Sequence, residues 1–225
     1  MHLDITIDET IIAAKDLIEQ AEGRLDVLVN NAGGKHNIRF KLYTFFICFK
    51  GVPGSKPQYP VNWDVDLAES VFRINFFGVV QVISIFLPLI RKAKEGYGVI
   101  LNVTSTIASN TIHAQGRFMR PGIVQSPFTA YSASKAALNS YTITLSQMLK
   151  PEGIKVNCAT PGLVATKLSN FTAAGKTPTA GAQVLLPWVL LGPEDTDKHG
   201  ELLIFLFDFC PTSFLSQVWW TSGMG

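Results

Sequence analysis

"LDVLVNNAGG" (residues 25–34) joins a short apolar run to a segment of Asn, Ala and Gly. The run 25–30 predicts a buried strand, because it is apolar throughout and too short for a typical helix. Small side chains directly after a strand leave a backbone that a ligand can approach closely. The stretch therefore predicts a strand that ends beside a ligand site, although only 24 residues precede it.

Helix-like and strand-like segments alternate along the rest of the chain. Helical spacing predicts helices over 9–21, 66–94, 131–150 and 178–192, with Asp8 as the N-cap of the first and Pro88 kinking or ending the second. Short apolar runs predict further strands over 98–105, 154–160 and 201–207. Such alternation predicts an α/β fold, a Rossmann-like doubly wound parallel sheet with helices on both faces.

Composition and charge narrow the class of protein. The 225 residues are 47% hydrophobic and 16% charged, which is typical of a globular chain with a large core. The net charge of +2 comes from scattered residues, so we expect no nucleic acid and no anionic membrane as partner. Cysteines and histidines are dispersed, so we expect no metal site and a reducing, cytoplasmic location. The N-terminus lacks the pattern of a signal peptide.

The apolar runs of the sequence do not predict a membrane-spanning helix. Runs 42–49 and 202–207 are far shorter than the ~20 residues of a membrane-spanning helix. The run 76–90 contains Gly, Gln, Ser and Pro, so we interpret it as a buried core helix. We expect one domain over 1–225, with an atypical insertion at 35–62 and an irregular tail at 208–225.

Tyr131 and Lys135 are the most informative pair of polar residues. They lie four positions apart in a predicted helix and so share one face. A phenol with a pKa near ~10 neither donates nor accepts protons well at neutral pH, whereas a neighbouring cation lowers that pKa. The pair is therefore a candidate acid/base unit. The alternative is an ordinary helix with a surface lysine and a half-buried tyrosine, since this spacing often arises by chance.

Ser105 stands at the end of a predicted strand, at the carboxyl edge where ligands bind in open α/β sheets. Its hydroxyl is placed to hold a substrate carbonyl oxygen. Alternatively, it only caps the following loop.

Five motifs together resemble the short-chain dehydrogenase/reductases, and most of all the carbonyl-reductase-like members. They are "LVNNAG" (28–33), "INFFG" (74–78), "VILNVTS" (99–105), "YSASK" (131–135) and "IKVNCATPGLVAT" (154–166). Their order and their positions on predicted elements are far more specific than any one motif. The resemblance implies hydride transfer between a nicotinamide cofactor, NADP rather than NAD, and a small-molecule carbonyl or alcohol.

The resemblance also implies roles for individual residues. The catalytic set is Asn75, Ser105, Tyr131 and Lys135, in which Tyr131 is the acid/base, Lys135 lowers its pKa, Ser105 polarises the carbonyl and Asn75 holds a relay water. The cofactor-binding set is Asp4, Ile5, Asn30, Asn31, Ala32, Gly33, Tyr131, Lys135, Pro161, Gly162, Val164 and Thr166.

Each assignment has a structural alternative. Asn75 could cap or hydrogen-bond the backbone within a core helix, and Asn30 and Asn31 could form a turn. Asp4 could cap a helix or belong to a frayed terminus, and Thr166 could N-cap the segment after it.

Members of this family carry two strands, two helices and a glycine-rich turn before the segment that residues 3–6 resemble. The resemblance therefore implies an N-terminally truncated sheet that lacks roughly fifty residues, including the turn that binds the pyrophosphate. Neither G-x-x-x-G-x-G nor G-x-G-x-x-G occurs in the 225 residues. We expect weak or no activity for this reason.

The truncation predicts an exposed edge on the strand at 25–30, which invites aggregation or foreign pairing. One hypothesis is that residues 1–6 pair with this edge instead.

Two other classes of function stay open. The first is a non-catalytic relative that binds a partner with a vestigial site. The second, a different Rossmann-like enzyme such as a methyltransferase, would leave Tyr131 and Lys135 without a purpose. Small residues on the helix from 131 are compatible with a homo-oligomer.

Overall fold

The computed structural model describes residues 3–31, 45–48, 59–114, 128–169 and 171–203, with 45–48 described by their backbone. The strands are β1 (Val27–Asn31), β2 (Phe45–Cys48), β3 (Val99–Val103), β4 (Lys155–Ala159) and β5 (Leu202–Leu203). The α-helices are α1 (Asp8–Glu22), α2 (Val65–Phe72), α3 (Val79–Ile90), α4 (Asn110–Ala114), α5 (Thr129–Leu149) and α6 (Pro178–Val189). A π-helix, Arg73–Gly78, joins α2 to α3.

The strands form one parallel sheet in the order β2-β1-β3-β4-β5. Successive side chains of a strand point to opposite faces. Leu28 of β1 and Ile100 of β3 therefore join a core with α1, α3 and α5, whereas Val29 and Leu101 pack towards α6 on the other face. The prediction of a doubly wound α/β fold is confirmed.

Local signals account for most element boundaries. α1 ends at Gly23, whose φ of 71° lets its N–H donate to the carbonyl oxygen of Glu19. Its predicted N-cap is wrong, because Ile7 occupies that position and Asp8 lies in the first turn. Pro88 lies inside α3, which ends at Ile90 rather than at the predicted 94.

The helical run Val65–Ile90 spans 26 residues and is the one described helix that is long and apolar enough to cross a membrane. Length and composition alone do not show that the helix crosses a membrane, since the core helix of a globular protein can be equally long and apolar. The inward side of α3 is fully buried, with Val79, Val82 and Phe86 at 0% exposure.

The neighbour of β1 differs from the sequence-based hypothesis. Residues 3–6 form a turn rather than a strand, so their predicted pairing with β1 is wrong for the part of them that the structure describes. β2 pairs with β1 in parallel instead, with Leu28 opposite Phe45 and Asn31 opposite Cys48. A segment within the predicted insertion at 35–62 therefore supplies the strand that covers this edge of the sheet.

Candidate active site

Ser105 and Tyr131 meet where the sheet opens at its carboxyl edge. Ser105 lies two residues beyond the end of β3 in an extended conformation, with φ of −145° and ψ of 147°. Tyr131 is the third residue of α5, and its side chain is hydrogen-bonded to Ser105. Ser105 and Tyr131 are each partly exposed as whole residues.

The pKa of Tyr131 is raised, because burial disfavours the charged phenolate. The hydrogen bond with Ser105 acts in the opposite direction and lowers this pKa, but burial is the larger influence. The phenol is therefore protonated at neutral pH, which makes it a proton donor.

Lys135 lies one helical turn beyond Tyr131 and is only 2% exposed. Its Nζ donates a hydrogen bond to the carbonyl oxygen of Val103 over 2.8 Å. Burial lowers the pKa of Lys135 to about 7. The sequence-based expectation that Lys135 lowers the pKa of Tyr131 is not met in this structure, because burial prevails at both groups and the ammonium is directed at a backbone carbonyl.

Asn75 lies in the π-helix and is fully buried. Its Nδ2 donates to the Oγ of Ser134 over 3.1 Å, and that hydroxyl donates to the carbonyl oxygen of Tyr131 over 2.8 Å. Its Oδ1 is buried and has no hydrogen-bond partner among the described residues. An acceptor in this state suits a bound water or ligand donor, so the prediction of a relay water there stays open. Ser134, which sequence reasoning missed, links Asn75 to the backbone of Tyr131.

Asn30 and Asn31 belong to β1, so their alternative role as turn formers is wrong. Asn30 is fully buried, and its Nδ2 donates to the Oδ1 of Asn102 over 2.8 Å. The Nδ2 of Asn102 in turn donates to the Oγ1 of Thr142 over 2.9 Å. Asn30 therefore connects strands and helix inside the sheet, whereas the predicted cofactor residues Ala32 and Gly33 lie outside the described residues.

Asp4 and Ile5 lie in the turn before α1. The Oδ1 of Asp4 accepts hydrogen bonds from the backbone N–H and the hydroxyl of Thr6, at 2.9 and 2.6 Å. Ile5 is 1% exposed and packs where a Cβ of Gly78 would stand. Its side chain belongs to the core, so any contact of Ile5 with a cofactor is limited to its backbone.

The loop after β4 has a defined conformation. Gly162 has a φ of 77°, and its N–H donates to the Oγ1 of Thr160 over 3.1 Å. Val164 forms a parallel bridge with Lys176, and the backbone oxygen of Thr166 accepts from the N–H of Phe171 over 2.8 Å. These bonds keep the predicted cofactor residues Pro161, Gly162, Val164 and Thr166 in one folded loop, and all four are partly exposed.

Metal chemistry has no support in the part of the chain that the structure describes. No group of three or more His, Cys, Asp or Glu side chains comes together there.

Comparison with known proteins agrees with the fold and identifies the family. The sequence model of the short chain dehydrogenase family matches residues 1–176. The chain therefore belongs to the short-chain dehydrogenase/reductase family, a family of oxidoreductases.

Two curated relatives are each 30% identical to the chain over the aligned residues. The short-chain dehydrogenase anuI of Penicillium roqueforti is 30% identical over 174 residues, which cover 73% of this chain and 57% of that protein. The fluoren-9-ol dehydrogenase of Terrabacter is 30% identical over 178 residues, which cover 78% of this chain and 44% of that protein. The chain thus spans about half the length of these two relatives.

Solved structures show the same fold. Salutaridine reductase from Papaver somniferum has a TM-score of 0.64 at 22% identity, covering 90% of this chain and 80% of that one. A 7α-hydroxysteroid dehydrogenase complexed with NADH has a TM-score of 0.62 at 22% identity, covering 90% of this chain and 71% of that one. At this level of identity the likeness concerns the fold alone.

Proposed function

We propose that this chain carries the catalytic part of a nicotinamide-dependent carbonyl reductase. The observation that supports this most is the hydrogen bond between Ser105 and Tyr131 at the carboxyl edge of the sheet. Ligands of open α/β sheets bind at this edge. Lys135, buried one turn further along α5, adds a group whose pKa of about 7 lets it exchange protons near neutral pH.

The residues at this edge fit the nicotinamide end of a coenzyme. The Oδ1 of Asn75 is a buried acceptor without a partner among the described residues, and Lys135 has three donors, one of which is used by Val103. By resemblance, Tyr131 and Lys135 would hold the ribose next to the nicotinamide, and Val164 would meet the carboxamide. When bound, the coenzyme would supply the hydride for the carbonyl carbon.

Tyr131 gives its proton to the carbonyl oxygen of the substrate while the carbonyl carbon takes the hydride. The raised pKa favours this direction, because the phenol holds its proton at neutral pH. The hydroxyl of Ser105 orients the carbonyl oxygen and also bonds the phenolate left behind, which lowers the pKa of Tyr131 and limits the cost of that charge. We therefore propose reduction of carbonyls rather than oxidation of alcohols near neutral pH.

The pyrophosphate end of the coenzyme lacks an evident binding turn, since the 225 residues contain no glycine-rich fingerprint. Backbone N–H groups of such a turn contribute much of the affinity for phosphates. We therefore propose that residues 1–225 bind the coenzyme weakly and turn over slowly. We also propose NADP over NAD, and a cytoplasmic location.

The test compares residues 1–225 with a form extended upstream in the gene. Binding of NADPH and NADH is titrated by fluorescence, and NADPH consumption is followed with a panel of ketones and aldehydes. We expect reduction by the extended form, weak or no reduction by residues 1–225, and loss of turnover in Ser105→Ala and Tyr131→Phe. Full turnover by Tyr131→Phe in the extended form would refute the proposed role of the phenol.

A non-catalytic, partner-binding relative is the second candidate, and the missing fingerprint is the observation that favours it. This alternative predicts no NADPH binding by either form. An intact set of Asn75, Ser105, Tyr131 and Lys135 speaks against a long-standing loss of catalysis.

A further inference from the structure

The last residue of β3 and the two residues after it form hydrogen bonds with three residues of α5 that lie one helical turn apart. The pairs are Val103 with Lys135, Thr104 with Asn139, and Ser105 with Tyr131. Residues four apart on a helix share one face. The end of the strand is therefore held along a single face of the helix that carries Tyr131.

The pair Thr104–Asn139 has no part in the proposed chemistry, yet it lies directly beside it. The Oγ1 of Thr104 donates to the Oδ1 of Asn139 over 2.6 Å. Both residues are buried, at 3% and 6% exposure. The backbone N–H of Thr104 also donates to the carbonyl oxygen of Ala159 over 2.9 Å, so β4 holds the same residue from its other side.

Thr104 is better suited than its neighbour to set the position of the strand end on α5. Its side chain is short and branched at Cβ, which leaves it few rotamers. The Lys135–Val103 bond depends on a long side chain with four rotatable bonds, which tolerates a displaced carbonyl. Ser105 follows Thr104 directly, so any shift of Thr104 moves the Ser105 hydroxyl relative to Tyr131.

We propose that Thr104 and Asn139 are positioning residues, whose hydrogen bond keeps the end of β3 in the register on α5 at which Ser105 reaches Tyr131. The catalytic meaning of this register rests on the proposed function. The hydrogen-bond geometry itself is independent of the proposed function, because it can be measured without substrate or coenzyme.

The test follows Tyr131 by NMR in protein labelled with ¹³C at the tyrosine Cζ, whose chemical shift reports hydrogen bonding at neutral pH and ionisation at higher pH. The chain has five tyrosines, and the signal missing from Tyr131→Phe assigns the residue. Lys135 and Cys158, the ionisable groups buried beside this face, stay unchanged in every variant below.

Loss of the Thr104 hydroxyl in Thr104→Val should move the Tyr131 signal in the same direction as Ser105→Ala and by a similar amount. It should also raise the pKa of Tyr131, since the bond with Ser105 lowers it. Thr104→Ser, which keeps the hydroxyl, should leave the signal in place, and Thr104→Val should add nothing in the Ser105→Ala background. Asn139→Leu removes the acceptor of the same hydrogen bond. It should move the Tyr131 signal in the same way, and it replaces Thr104→Val if that variant fails to fold.

A Tyr131 signal unchanged by Thr104→Val and by Asn139→Leu, but moved by Ser105→Ala, would overturn the proposal and leave the pair a purely structural role. A signal that Ser105→Ala does not move would also overturn it. Turnover in the extended form is measured separately. Absence of turnover with the expected NMR changes would refute the proposed function and leave the positioning intact.

Discussion

Lys135 Nζ donates to the carbonyl oxygen of Val103 over 2.8 Å, and the Lys135 residue is only 2% exposed. This bond connects α5, the helix of Tyr131, to β3, the strand that ends before Ser105. It also places an amine in surroundings that disfavour its charge, so the pKa of Lys135 falls to about 7.

The lowered pKa of Lys135 makes stability depend on pH in a defined direction. Between the folded pKa of about 7 and the ordinary value of 10.5 the unfolded chain binds more protons, so stability rises with pH in this window. We expect Lys135→Met to remove this rise and to be the more stable protein at pH 7, by on the order of 4 kcal/mol before the lost hydrogen bond is counted.

Denaturant unfolding of both proteins between pH 7 and pH 9 checks this expectation. The upper limit avoids Cys158, whose pKa is raised to about 12 from 9.0 and which therefore lowers stability as the pH rises above 9. Parallel pH profiles for the two proteins would contradict the lowered pKa of Lys135.

The phenol of Tyr131 is expected to matter for catalysis and that of Tyr141 is not. In the extended form Tyr131→Phe should lower kcat by about 10²- to 10⁴-fold, because it removes the proton donor. Tyr141→Phe is the matched control on the same helix. It keeps the ring that packs edge-on against Phe76 at 6.2 Å, and we expect its kcat to be unchanged. Steady-state kinetics with one ketone measures kcat for both variants. An equal loss of kcat in Tyr131→Phe and Tyr141→Phe would contradict the prediction.

The buried amides of β1 and β3 are expected to support stability as a pair. Asn102→Leu leaves the Nδ2 of Asn30 without its acceptor, and we expect a loss of about 1–3 kcal/mol in the free energy of unfolding. The double variant Asn30→Leu/Asn102→Leu should lose less than the two single variants together, because no buried donor is left unpaired. Strict additivity in guanidinium unfolding would show that the two amides are not coupled.

Strand β2 is expected to protect the edge of β1 from pairing with other chains. Replacing residues 35–58 by a flexible Gly/Ser linker removes β2 and exposes the edge of β1. Exposed apolar edges pair with other chains, so we expect dimers or larger aggregates by light scattering. A linker that replaces only the residues after Cys48 up to residue 58 keeps both β2 and α2 and is the control. A monodisperse monomer without β2 would argue that another segment covers β1.

Much of the fold could be predicted because the signals are local. Apolar periodicity predicts α1, α5, α6, the helical run Val65–Ile90 as one helix, and all strands except β2, each within a few residues. β2 was missed because its stretch resembles no motif, and its pairing with β1 depends on contacts distant in sequence. The π-helix at Arg73–Gly78 was also missed, since the periodicity there matches an ordinary helix.

Spacing along the chain is enough to predict most strands and helices, the family resemblance, and the shared helix face of Tyr131 and Lys135, because these features depend on residues close in sequence. Tertiary structure decided where each polar group is directed. It turned Lys135 towards Val103, buried Asn30 against Asn102, and set Thr104 on Asn139, across 32, 72 and 35 residues of sequence. The physical reason is that burial and hydrogen-bond partners depend on which segments pack together. Spacing within a single helix or strand does not carry that information.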